Sequence, residues 1–321
     1  MKNKYLFVAV MLLALMSASI VLTNFYVRFN AEGEGADAGH SHAGHQHSFD
    51  PADGKNQEDT GHGCSVVASF YPMYIAALNI IGDCGGVTLQ NLSEPQTGCL
   101  HDYQLTTEDM KKLSGADVFL INGGGIEHFL ADVTKQYPRL AVINACEDLD
   151  LLAENAHAWM SIAGYMAQVR TIAGALAELD PANAVAYQKN SADYLAKLEA
   201  LHQKQQEAAK ACQGRKVLLF HEAFAYVAKD YGLVVSGGMD LDEERQASAG
   251  ETAEVLRQIR EHGAEAILAE ELYGRQMCET VKREADVHAI YLDTCVRGDY
   301  SADSYLDAME ENINQMRMLG Q

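Results

Sequence analysis

PANAVAYQKNSADYLAKLEALHQKQQEAAKAC, residues 181–212, holds a proline only at its first position and no glycine at all. Tyr187, Tyr194 and Leu201 recur at heptad spacing, with Leu198 beside them. The stretch reads as one continuous helix of about 30 residues, hence roughly 45 Å long at about 1.5 Å per residue. Its apolar stripe is too short and too alanine-rich for a sustained zipper. A rigid strut joining whatever lies on its two sides fits better.

On each side, short apolar runs alternate with helical patterns. Before the strut come SVVASF (65–70), a helix YPMYIAALNIIGD opened by a proline, VTLQNL (87–92), and a helix TTEDMKKLSGAD with a Thr-x-x-Asp start. DVFLING (117–123), a helix around Ile126 to Gln136, and LAVINA (140–145) follow. After the strut come KVLLFH (216–221), AFAYVAKDYG, LVVSGG, TAEVLRQIREHG, AEAILAEE, RQMCETVKREA and HAIYLD (288–293). A helix from Ser304 to Met318 closes the chain. Such alternation predicts an α/β protein of two lobes, each a mainly parallel sheet flanked by helices, joined by one long backbone helix.

The chain has 321 residues, 48% hydrophobic and 21% charged, with a formal net charge of -21. That charge argues against nucleic acid, whose phosphates need clustered Lys and Arg. Lys2 and Lys4 precede an apolar run from Tyr5 to Val27. It is long enough to span a bilayer, and Ser17-Ala18-Ser19 offers a small-residue cleavage site. Residues 1–29 are therefore expected to be a signal peptide or a membrane anchor, and the rest of the chain to be extracytoplasmic. No cysteine precedes Cys64, so the lipid-bearing cysteine of a lipoprotein is not expected. Residues 30–63 carry almost no large apolar side chain and read as a tether. The lobes are then 64–180 and 212–321, with the linker helix at 181–211.

In an open parallel sheet, ligands bind beyond the carboxyl ends of the strands. His101 falls in the loop after the second strand, and His157 in ENAHAWM after the strand ending near Ala145. His221 closes KVLLFH and Asp293 closes HAIYLD. Three imidazoles and a carboxylate make a plausible tetrahedral zinc site. Trp159 reads as a packing anchor beside His157, and Gly123-Gly124-Gly125 as a turn that lets the chain approach the cleft. No lysine-serine or lysine-threonine pair follows those glycines, so a nucleotide site is not indicated. His221-Glu222 begins like a metalloprotease H-E-x-x-H, but the fifth position is Ala225.

LLFHEAFAYVAKDYGL resembles the third metal-ligand motif of the solute-binding proteins that serve bacterial zinc and manganese ABC importers. The similarity extends to ASFYP, DVFLINGGGIEHFL, LDPANAVAYQKNSADYLAKL, AEE near residue 270 and YLD near 292. The resemblance implies a receptor, not an enzyme. Metal would be held between the lobes by His101, His157, His221 and Asp293 and delivered to a membrane permease with its ATPase. Two motifs depart from the family pattern: Leu100-His101-Asp102-Tyr103 lacks the usual proline, and Asn155-Ala156-His157-Ala158-Trp159 lacks the usual Asp-Pro. Three histidines favour Zn2+ as the transported ligand, with Mn2+, which prefers more oxygen, as the alternative.

The tract GHSHAGHQHS (39–48) brings His40, His42, His45 and His47 into the tether. They are expected to be accessory metal ligands without fixed geometry. Export permits disulfides, and the expected pairs are Cys99–Cys146, Cys64–Cys84 and Cys278–Cys295, leaving Cys212 over.

Overall fold

Two four-stranded, all-parallel sheets share one topology. The first has the order β2-β1-β3-β4 and the second β6-β5-β7-β8. The computed structural model describes residues 63–93, 100, 103–241 and 247–320, and all of these lie in one unit, Asp59–Gln321. His101, Cys99, the N-terminal apolar run and the His40–His47 tract lie outside the described residues.

The first lobe contains β1 (Cys64–Ala68), α1 (Tyr71–Ile81), β2 (Val87–Asn91), α2 (Thr107–Ser114), β3 (Val118–Ile121), α3 (Leu130–Gln136) and β4 (Ala141–Asn144). Pro72 sits in the first turn of α1, where its missing N–H costs nothing. The Thr-x-x-Asp start of α2 forms a full capping box. Asp109 N–H donates to Thr106 Oγ1 at 3.2 Å, and Thr106 N–H donates to Asp109 Oδ2 at 2.8 Å. The second lobe contains β5 (Lys216–Leu219), α6 (Phe224–Asp230), β6 (Val234–Gly238), α7 (Ala249–His262), β7 (Ala266–Ala269), α8 (Glu271–Lys282) and β8 (His288–Tyr291). It is followed by α9 (Ser304–Leu319).

Two long helices separate the lobes in sequence, α4 (Ile162–Leu179) and α5 (Ala184–Ala209). The strut is α5, 26 residues long. It buries Tyr187, Tyr194, Leu198 and Leu201, the stripe its spacing foretold, and packs against α1, α4 and α9. Helix α4 has no counterpart among the expected elements. Its buried Ile162, Tyr165, Met166, Val169, Ile172, Ala173 and Leu176 follow a helical period. Gly164 and Gly174 interrupt that stretch and lower its helix propensity.

Strand alternation decides where the second sheet sends its side chains. Val217, Leu219, Ala266 and Leu268 join a large core that also contains the first lobe, α4, α5 and α9. Leu218, Phe220, Ile267 and Ala269 face the other way, into a smaller core with Val255 and Ile259 of α7 and Val281 of α8. The main core therefore runs through both lobes.

The expected disulfides are not formed among the described residues: Cys64, Cys84, Cys146, Cys212, Cys278 and Cys295 are free thiols. Cys278 lies in the smaller core and Cys295 in the larger one, which keeps that pair apart. The Cys146 Sγ accepts a hydrogen bond from Gln168 Nε2 at 3.1 Å.

Candidate metal centre

Beyond the carboxyl end of β3 the chain turns through Gly123, Gly124 and Gly125, with φ of 84°, 66° and 87°. A Cβ on Gly123 would lie 1.9 Å from Asn144 Oδ1, and one on Gly124 would lie 3.1 Å from the Ala156 Cα. Only glycine permits both the left-handed backbone and that approach. The turn is braced by Glu127, 4% exposed. Its carboxylate accepts from Ser69 Oγ at 2.8 Å, Asn122 N at 2.7 Å and Gly123 N at 3.0 Å. Asn122 in turn donates from Nδ2 to Ala156 O at 2.9 Å, one residue before His157. The side-chain amide of Gln168 on α4 donates to Asn122 Oδ1 at 2.8 Å. Burial pushes the Glu127 carboxyl up, and its backbone and Ser69 hydrogen bonds offset this only in part.

The segment carrying His157 is irregular, with short 3-10 turns at Leu152–Glu154 and Ala158–Met160. Ala153 and Glu154 adopt φ of 50° and 62°, a region non-glycine residues rarely enter. His157 is fully buried. Its Nδ1 lies 2.8 Å from Asn155 Oδ1, and its own backbone N–H donates to that oxygen at 2.9 Å. Trp159 packs on it, with ring centroids 5.0 Å apart.

From the second lobe, His221 follows β5 and is 1% exposed. Its ring meets that of His157 edge-on, with centroids 5.2 Å apart and an interplanar angle of 87°. The two histidines from opposite lobes are thus brought together. His221 Nδ1 accepts from Ala223 N–H at 2.9 Å, which leaves the proton of a neutral ring on Nε2. Asp293 follows β8. Its Oδ1 accepts from Cys295 N–H at 2.6 Å, and its backbone N–H donates to Asn312 Oδ1 at 2.7 Å. The neighbouring Thr294 carbonyl accepts from Trp159 Nε1 at 2.9 Å, so one indole spans from the His157 loop to the Asp293 loop.

Burial raises the Asp293 carboxyl, with the Cys295 N–H and Arg297 opposing. Glu270, after β7, is likewise raised by burial despite its ion pair to Arg297 Nη1 at 2.7 Å. Among the described residues, no three His, Cys, Asp or Glu side chains converge closely enough to hold a metal ion. Asp293 therefore does not complete a donor cluster with the histidine pair. His101, the fourth expected donor, is outside the described residues.

Asn155, Glu127 and Arg297 escaped the sequence reading. Glu127 meets Ser69, Asn155 meets Glu222 and Arg297 meets Glu270, each far off in the chain, and only the proximity of Asn155 to His157 offered a signal. A carboxamide two residues before a buried histidine is well placed to orient it.

Known proteins resemble this chain along most of its length. The chain is 27% identical over 278 residues to the high-affinity zinc uptake system protein ZnuA of Bacillus subtilis, covering 78% of this chain and 86% of that one. It is 26% identical over 280 residues to the manganese-binding lipoprotein MntA of Halalkalibacterium halodurans, covering 82% and 92%. Its fold matches the SBP FpvC from P. aeruginosa in complex with a Ni2+ ion, at a TM-score of 0.72 and 28% identity, covering 80% of this chain and 96% of that one. The family model described as ZnuA, zinc-uptake complex component A, periplasmic, matches residues 66–318. With two parallel α/β lobes and a buried histidine from each meeting between them, the chain belongs to that family.

Proposed function

We propose that this protein is the extracytoplasmic receptor of an ABC importer and captures a divalent transition-metal cation between its lobes. The ligands in this reading are His157, His221 and Asp293, together with His101, and zinc is the favoured cargo. The observation that carries it is the edge-on meeting of His157 and His221, both almost completely buried and contributed by different lobes. Buried imidazoles suit a borderline cation better than an oxygen-seeking one. The relatives named for zinc, for manganese and in complex with nickel support the coarser reading, a divalent-metal receptor. Membership in an uptake-complex family, with Ala225 where a second helical histidine would be needed, sets the hydrolase reading aside.

Loading would draw Asp293 onto the cation that the histidines hold. It would also turn the His221 ring or break its Ala223 contact, because a ligating nitrogen must present its lone pair. Delivery to a membrane permease with its ATPase follows from the family role. Among the described residues, no helix is long and apolar enough to cross a membrane. We carry His40, His42, His45 and His47 as accessory ligands that gather metal near the cleft.

Titration calorimetry of the purified protein with Zn2+ and Mn2+ tests the proposal. One tight site is expected, with zinc tighter than manganese, and it is lost in both His157→Ala and His221→Ala. Unchanged affinity in both variants would place the site elsewhere. Removing residues 39–48 is expected to lower the total stoichiometry and leave the tight site intact.

A further inference from the structure

We propose that Asn155 is a positioning residue with two coupled tasks: it latches the lobes together and presets the ring of His157. The inference rests on His157 being a metal ligand. Besides the bond from its own N–H to the Leu152 carbonyl at 2.9 Å, four polar contacts converge on Asn155. Its Oδ1 accepts from the His157 backbone N–H at 2.9 Å and lies 2.8 Å from the ring Nδ1. Its Nδ2 donates to the Glu222 carbonyl at 2.9 Å, across to the second lobe. Its own carbonyl accepts from Tyr226 Oη at 2.7 Å, also from the second lobe, and that phenol oxygen accepts from Leu152 N–H at 3.1 Å.

These contacts fix both orientation and tautomer. An amide whose oxygen meets a backbone N–H and whose nitrogen meets a carbonyl has only one sensible orientation. With oxygen facing His157 Nδ1, that nitrogen must carry the ring proton. The lone pair is then on Nε2, the form a metal needs. The same amide is held by Glu222, the residue next to His221. If the second lobe withdraws, Nδ2 loses its acceptor and the amide is released to rotate. His157 Nδ1 then loses its amide partner, and the Glu222 carboxylate, whose Oε1 lies 3.6 Å from the same nitrogen, moves off with the second lobe. Approach of the Glu222 loop and ligand preparation are thereby one event.

Three variants separate the two tasks. Asn155→Ala removes the ring contact and the side-chain bond to Glu222, and keeps only the backbone carbonyl that Tyr226 meets. Asn155→Asp keeps an acceptor for His157 Nδ1 but sets a carboxylate oxygen against the Glu222 carbonyl. Tyr226→Phe removes the second cross-lobe bond and leaves the ring contact. Nitrogen-15 NMR of the metal-free protein above the titration of its histidines reads the His157 tautomer. Hydrogen exchange reads protection of residues 152–157, and chelator competition reads the zinc dissociation constant.

In Asn155→Ala, we expect a mixed tautomer, faster exchange and a dissociation constant raised roughly 10- to 100-fold. Asn155→Asp should keep the tautomer yet exchange faster, and Tyr226→Phe should do the same. If Asn155→Ala leaves tautomer and affinity within about twofold of the parent, or if Asn155→Asp exchanges as slowly as the parent, the latch is wrong. A parent protein that binds neither Zn2+ nor Mn2+ while showing the expected tautomer and exchange pattern would sink the metal reading and leave the latch standing. Should Asn155→Ala not fold, the other two variants decide the matter.

Discussion

Glu127 is a buried carboxylate with no cation among its hydrogen-bond partners in the described residues: it accepts from Ser69, Asn122 and Gly123. Replacing it with glutamine puts an NH2 where an acceptor is needed and strands at least one buried donor. Such a loss costs about 1–3 kcal/mol. Because the turn it braces abuts Ala156, the cost should reach metal binding as well as stability. Urea unfolding of Glu127→Gln is expected to show that loss, with weaker zinc affinity beside it.

The pH dependence has a definite sign. Burial raises this carboxyl in the folded state, so the folded protein holds the proton more tightly than the unfolded chain does. The group's contribution is fully present below the ordinary glutamate range and is lost as pH rises through the raised value. Unfolding followed upward in pH from that range should therefore show a decline attributable to Glu127 that Glu127→Gln lacks. Asp293 and Glu270 are raised in the same direction and for the same first cause, burial.

Helix α4 carries a glycine whose substitution should act against propensity. Inside an exposed helix, alanine stabilises relative to glycine by about 1 kcal/mol. At Gly164, however, an added Cβ would lie 2.4 Å from the Ala158 carbonyl oxygen, a backbone atom that cannot yield cheaply. Gly164→Ala is expected to destabilise by about 1–3 kcal/mol, the range for overpacking. It should also weaken metal binding, because Ala158 adjoins His157. A Cβ added to Gly174 meets nothing within 4 Å among the described residues, so Gly174→Ala serves as the control and should be neutral or stabilising.

Capping gives a second test among the elements. The Ser248 hydroxyl accepts from Glu251 N–H at 3.2 Å and closes a capping box on α7. Ser248→Ala should cost about 1 kcal/mol without touching the metal site. The same elements explain what the sequence disclosed. Buried parallel strands read as unbroken apolar runs, so the strands were legible, and so were the positions of His221 and Asp293 just beyond two of them. The Thr106 box was visible because its partners are three residues apart. Helix α4 was obscured by its glycines and by small residues that suit close packing. The Asn155–Glu222 contact joins residues far apart in sequence, and no local pattern announces it.

At the scale of the whole molecule, the shared core limits what the lobes can do. Val217, Leu219, Ala266 and Leu268 of the second sheet sit in the same cluster as Val66, Phe119 and Ile143 of the first. Helix α5 packs along α1 from one lobe and α9 from the other. Tyr305 on α9 stacks on Tyr165 of α4 with centroids 3.8 Å apart, and its hydroxyl donates to the Trp159 carbonyl at 2.6 Å. Wide opening would expose this aromatic layer to water at a cost set by its apolar area. The lobes are therefore expected to unfold together, and calorimetry should record one transition for the folded region. Two separable transitions would mean that the core does not couple them. Zinc at about 1,000 times its dissociation constant should add about 4 kcal/mol to that single transition. Scattering with and without metal should show almost no change in radius of gyration, because loading needs only Asp293 and the cleft loops to shift. A contraction large enough to require the lobes to swing about α5 would show instead that the joint core yields, and that the strut is a hinge.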